Sequence, residues 1–299
     1  FSMSVFLLYS VVTRYSGYDT DMITYANSLE YDAWAFYYLR EPVYWVSSRY
    51  VYTILGSSEL TFIFYDFLAF LFVFLASKKM SLPQYFPYLF LLFFPAVMGM
   101  NNVYRQYLSY CFFIYFISLC YVGSGSIRRS VFFLLSFFTH NVAALFAPMY
   151  FSLENGKKFN FKAISLALLV LMLLPIALSS KSSSETGELS VWVYLVALGA
   201  LIVFLVASMG GRFEGVHKKM LYFVLYMFVL VSVSAALMGG AQSKRVGMFV
   251  LMVSLVPFVM VIEEKYKQKR LVRPLMFLVL ISPSLIFQSS LNMLLTASH

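Results

Sequence analysis

An all-α, polytopic transmembrane bundle is the fold class this sequence predicts, on three observations. Apolar residues fill 61% of the 299 positions and charged ones 12%, more hydrophobic side chain than one soluble core of this size can hide. They gather into ten segments separated by short polar stretches, nearly all close to the roughly 17–25 residues a helix needs to cross a bilayer. These segments are apolar throughout, not alternating with period two as the strands of a membrane barrel do.

In chain order the spans fall at roughly 1–13, 60–77, 85–100, 106–122, 162–179, 190–209, 219–238, 246–262 and 274–294, about nine crossings in one integral membrane domain, 1–299. The opening run to Thr13 is too short to span, so further residues are expected before Phe1, and it lacks the small-residue cleavage pattern of a signal peptide. Cys111 and Cys120 share one span. Nine residues of helix put them about 13 Å apart along the axis, too far for a disulfide, and they read as packing residues.

A tenth apolar stretch, 129–151, decides the topology. As a single crossing it puts most basic residues outside, against the positive-inside rule. As a re-entrant hairpin turning at Thr139-His140-Asn141, with two half-helices of about eleven residues, it puts fifteen of the 22 basic residues on the cytoplasmic side. Irregular backbone at that depth is tolerated where it lines a polar cavity, so the hairpin implies an internal site with His140 at its tip. A net charge of +9 then marks cytoplasmic loops, and no nucleic-acid partner is expected.

The non-cytoplasmic face owns an acidic and aromatic loop, 14–59, the Met100–Arg105 turn, the Ser-rich Ser179–Glu188 linker and the Gly239–Arg245 turn. In the loop, Asp19, Asp21 and Glu41 stand among many Tyr and Trp residues. Carboxylates with aromatic rings suit sugars; the same rings also suit an interfacial belt, and the acids suit helix caps. Arg105 and Gln106 open a helix, where free N–H groups and a guanidinium together suit phosphate; the competing reading is an ion pair with an outer carboxylate. Lys244 and Arg245 repeat the pattern before the 246–262 span, and with Arg14 and Arg105 they would ring one cavity for a polyanion such as a lipid diphosphate. His140, inside the membrane, suits a general base, a hydrogen bond to phosphate or hydroxyl, or a staple for the turn. Asp66, in the second span, could pair with one of the arginines, and its role is left open. Motifs of zinc peptidases, α/β serine hydrolases and P-loop enzymes are absent; three scattered histidines argue against a His-based metal site, and no cofactor is expected.

Asp19, Asp21 and Tyr25, then Glu41-Pro42, then Asn101-Asn102 with Tyr104 ahead of Arg105-Gln106, then Thr139-His140-Asn141-Val142-Ala143, resemble in order the EpsG-like group of exopolysaccharide and O-antigen polymerases, the Wzy class. The resemblance covers about the first half, and the second half adds its hydrophobic pattern and Arg245. Ser109 and Asn141 depart from the usual residues without removing a charge. The resemblance implies a GT-C-like membrane glycosyltransferase of the bacterial inner membrane. Its active site would face the periplasm or exterior and join undecaprenyl-diphosphate-linked repeat units with release of undecaprenyl diphosphate. Arg105, Arg245, Arg14 and Lys244 would bind the diphosphate. His140, Asp19, Asp21 or Glu41 would take the proton, while Tyr25, Asn102, Tyr104 and Gln106 would meet substrate. Partners would be the lipid-linked oligosaccharide, membrane lipid, a flippase and a chain-length regulator. The rival functions are an O-antigen ligase or other lipid-sugar transferase, and a flippase for lipid-linked sugars.

Overall fold

The computed structural model describes residues 2–18, 20–30, 36–153, 161–178, 190–209, 215–237, 240–266, 268–286 and 291. Among them are fourteen α-helices, two short 3-10 segments and no strand. Four described helices are long and apolar enough to cross a membrane: Ser58–Lys79, Val191–Met209, Lys218–Leu237 and Gln242–Lys265. The expected all-α membrane bundle is therefore what the chain forms.

Contacts divide the chain into two units. The first takes residues 1–119, 125–143 and 273–299, the second 120–124 and 144–272. In the first unit α1 (Ser2–Tyr15) runs antiparallel to α4 (Ser58–Lys79), since Phe6 meets Phe70 and Phe74 while Arg14 meets Asp66. α7 (Tyr104–Tyr121) runs parallel to α4, with Tyr104 at Phe62 and Phe112 at Phe72. α8 (Ser126–Thr139) returns along α7, and Ser109 and Ser136 clamp the pair by donating reciprocally to each other's carbonyls at 2.8 and 2.7 Å. One end of this unit thus collects the end of α1, the starts of α4 and α7, and the end of α8. α7 is not among the four apolar spans. Its tyrosines, Arg105 and Gln106 lower its hydropathy, and because Tyr104, Tyr107 and Tyr110 are all buried against protein, it has no need of a lipid-compatible surface.

The acidic and aromatic segment is helical rather than an open loop. α2 (Thr20–Glu30), a 3-10 turn (Phe36–Arg40) and α3 (Pro42–Leu55) fill it. Pro42 sits in the first turn of α3, where its missing N–H costs nothing, and Gly56, at φ 68, closes the helix in the left-handed conformation.

The expected span at 85–100 is broken. α5 (Phe86–Leu92) and α6 (Phe94–Asn101) meet at an extended Phe93, because Pro95 supplies no N–H to continue the ladder. The Leu92 carbonyl at the break is satisfied by the Ser284 hydroxyl, 2.9 Å away on α14 (Lys269–Ile286).

In the second unit, α13 (Gly240–Lys265) is the buried centre, packed on α11 (Val191–Met209) and α12 (Gly215–Leu237). The α11 contact requires Gly247: a Cβ there would stand 2.7 Å from Cγ and 2.9 Å from Cβ of Tyr194. α9 (Pro148–Ser152), α10 (Phe161–Leu178) and α12 enclose an apolar cavity of about 320 Å³ walled by Met149, Ala163, Ala167, Tyr222, Phe223 and Tyr226.

The 129–151 stretch does break at His140, but its second limb is not one half-helix. A 3-10 segment (Asn141–Phe146) leads to the five-residue α9, and the Tyr226 hydroxyl pins the segment by donating to the Leu145 carbonyl at 2.5 Å.

Candidate active site

Two arginine–carboxylate pairs stand at the gathered end of the first unit. The first is sealed. Arg14 donates through Nε to Asp66 Oδ2 at 2.9 Å, through Nη2 to Oδ1 at 3.1 Å, and also to the Met100 carbonyl at 3.0 Å. Ser10 and Tyr104 give Asp66 two further hydrogen bonds, at 2.6 and 2.9 Å, and the guanidinium lies over the Tyr104 ring, 4.9 Å from its centroid. The Arg14 and Asp66 side chains are 1% and 0% exposed. Each oxygen of the carboxylate carries two donors, so the acid of this buried pair has its acceptor sites filled, the condition under which a buried carboxylate is tolerated. It ties α1, α4, α6 and α7 together.

The second pair is open. Arg105, second residue of α7, pairs through Nη1 with Glu41 Oε2. Its side chain is 14% exposed against 1% for Arg14. Its Nε donates to the Tyr25 hydroxyl at 3.4 Å, and its guanidinium lies 4.9 Å from the Trp45 ring centroid and 5.5 Å from that of Tyr25, cation–π contacts that hold the fork flat. Glu41 is the N-cap of α3, and Trp45 follows one turn later, its N–H on the Glu41 carbonyl at 3.1 Å. The helix start that Pro42 fixes therefore aims both at Arg105.

Glu41 also reaches the His140 turn. Its Oε1 accepts the Asn141 N–H at 3.2 Å and lies 3.7 Å from His140 Nδ1. One carboxylate thus links α3, the first turn of α7 and the end of α8. Arg105, Glu41, Tyr25 and His140, distant in sequence, form one cluster. With its donor-rich edge at a helix N-terminus, the cluster is suited to oxygen anions.

The remaining candidates are distributed as follows. Asp21 lies in the first turn of α2, one turn before Tyr25. Asp19 falls outside the described residues, as do Ser179–Glu188 and Gly239. Tyr104 belongs to the Asp66 network, Gln106 is fully buried, and Asn102, half-buried, ends α6 with its N–H on the Met98 carbonyl at 2.9 Å. Lys244 and Arg245 belong to the second unit, and because α13 already begins at Gly240 they sit in its second turn rather than in a loop. Asp66, whose role the sequence left open, pairs with Arg14.

Sequence reasoning did not single out Trp45 or Tyr44. The signal for Trp45 was its spacing of four from Glu41 across a proline-started helix. Tyr44 is buried among Tyr25, Trp45, Tyr65 and Tyr104. Burial pushes its phenol well above the ordinary range, so it stays protonated, and its hydroxyl has no hydrogen-bond partner among the described residues. The rings of Tyr25, Tyr44 and Trp45 pack on one another as a buried core instead of standing open as a sugar platform.

The cysteines are free, both buried in α7. The model of the EpsG family matches residues 1–294. No curated protein and no solved structure matches the chain.

Proposed function

The chain belongs to the EpsG family, polymerase-type glycosyltransferases embedded in the membrane, and from that premise we propose that it joins undecaprenyl-diphosphate-linked oligosaccharide units into a polysaccharide. The sugar hydroxyl of one lipid-linked unit attacks the anomeric carbon of the growing chain. A new glycosidic C–O bond forms, the anomeric C–O bond to the diphosphate breaks, and undecaprenyl diphosphate leaves with the electron pair while the hydroxyl proton passes to a base. The site faces the periplasm or exterior of a bacterial inner membrane, beside a flippase that supplies the units and a regulator of chain length.

The observation that carries this reading is Arg105, a partly exposed guanidinium at the N-terminus of α7, held flat by Glu41, Tyr25 and Trp45. A fixed cation there stabilises charge that develops on the leaving diphosphate, and it needs no reorganisation to do so. Arg14 and Tyr104, engaged with Asp66, act on the reaction by fixing where α7 starts.

The test is purified protein with its lipid-linked unit and no nucleotide sugar, read as a gel ladder. Wild type gives a ladder, and Arg105→Ala loses on the order of 10²–10³ in rate, as for removal of one oxyanion donor. A folded wild type that instead moves the lipid across liposomes, or joins the sugar to another acceptor, would falsify the polymerase reading.

A further inference from the structure

His140 has two chemically distinct nitrogens, and the local backbone decides which one carries the proton. α8 stops at Thr139, His140 is extended (φ −153, ψ 124), and the chain tightens at once into the 3-10 segment. The Val142 N–H points back at the ring and donates to Nδ1 at 3.2 Å. A nitrogen that accepts a hydrogen bond bears no proton, so the neutral imidazole holds its proton on Nε2.

The rival arrangement is the carboxylate–histidine dyad, in which the acid takes Nδ1–H and leaves Nε2 bare to act as base. The geometry runs against it. Glu41 Oε1 is 3.7 Å from Nδ1, beyond hydrogen-bond reach. That oxygen is occupied by the Asn141 N–H at 3.2 Å, and Oε2 by Arg105. The consecutive N–H groups of residues 141 and 142 therefore separate the two side chains, one going to the acid and the other to the ring.

We infer that His140 serves the transfer as a hydrogen-bond donor through Nε2–H to a substrate oxygen, and that Glu41 is a positioning residue that holds Arg105 and the His140 turn together. This rests on the transfer reaction proposed above. The hydroxyl proton then goes to a carboxylate on α2. Of the two described carboxylates there, Asp21 and Glu30, the candidate is Asp21, four residues before Tyr25 and so on the helix face that meets Arg105.

The experiment uses the full chain labelled with ¹⁵N-histidine in lipid nanodiscs. The sequence holds three histidines, and His140→Gln identifies the signal by difference. At neutral pH the wild-type spectrum is expected to show a bare Nδ1 and a protonated Nε2. A protonated Nδ1 or an imidazolium overturns the inference, whatever the ladder assay shows, so its failure is separable from failure of the polymerase reading. In the ladder assay His140→Gln, which keeps an N–H donor, is expected within about tenfold of wild type with the acid side of the pH profile unchanged. His140→Ala falls further, on the order of 10². Equal loss in both variants, with both folded by thermal melting, overturns the donor role. Glu41→Gln is expected to lower kcat and shift the His140 nitrogen signals, and unshifted signals would remove Glu41 from its positioning role.

Discussion

Arg14 and Arg105 begin alike in the sequence and end as opposites. Both flank a helix end, both pair with a carboxylate, and both lie over a tyrosine ring. Arg14 meets an acid whose four contacts are all protein donors, at a depth that excludes solvent. Arg105 shares its acid with one backbone N–H and keeps an exposed edge. A buried pair with every lone pair used is a structural joint, because breaking it strands a charge in low dielectric. A pair with an exposed edge can exchange part of its contacts for a ligand anion at far lower cost, which is why the proposed role in the transfer falls to Arg105.

The largest effect that sharpens this contrast is Asp66→Ala. It leaves Arg14 buried and unpaired and is expected to cost about 3–5 kcal/mol, seen as a lower melting temperature and poor recovery from membranes. Arg105→Ala should do the reverse, keeping a near wild-type melting curve while the ladder rate falls on the order of 10²–10³. Equal losses of stability in the two variants would erase the distinction. Replacing the sealed pair by an apolar one, Arg14→Met with Asp66→Leu, is expected to be close to neutral in stability and to leave polymerisation largely intact, since the Tyr104 hydroxyl, released from Asp66, can turn its one proton to the Phe62 carbonyl, 3.0 Å away. A folded double variant without activity would put Arg14 in the reaction after all. The smallest change is Tyr44→Phe. Deleting a hydroxyl that has no described partner relieves a desolvation penalty of about 1–3 kcal/mol, so the melting temperature should hold or rise. A drop in activity at unchanged stability would mean that the hydroxyl meets substrate.

Local order was the part most legible in advance. The Thr139-His140-Asn141 polar step in an apolar run marked the end of α8, whereas Pro42 read as a breaker in a loop and not as the start of α3. The placement of Arg105-Gln106 at a helix start was readable from the boundary between two apolar runs. The span at 85–100 misled, because hydropathy sums over residues and does not register that Pro95 removes a single N–H. The 14–59 segment misled in a different way: its aromatics were read as surface features, whereas Tyr25, Tyr44 and Trp45 are the core of their own helices.

The sequence by itself determined that this chain is a helical membrane protein and that Cys111 and Cys120 cannot bond, and it supplied the arginines, acids and one histidine of the first half on which the proposed chemistry rests. Composition and spacing suffice for those because they depend on the bilayer and on helix geometry, which act on every segment alike. Only the tertiary structure decided which arginine Asp66 would saturate, which acid would hold Arg105, and which nitrogen of His140 would accept the Val142 N–H. The first two are contests among partners tens of residues apart and the third depends on how the chain turns after α8, and a one-dimensional pattern carries no record of either.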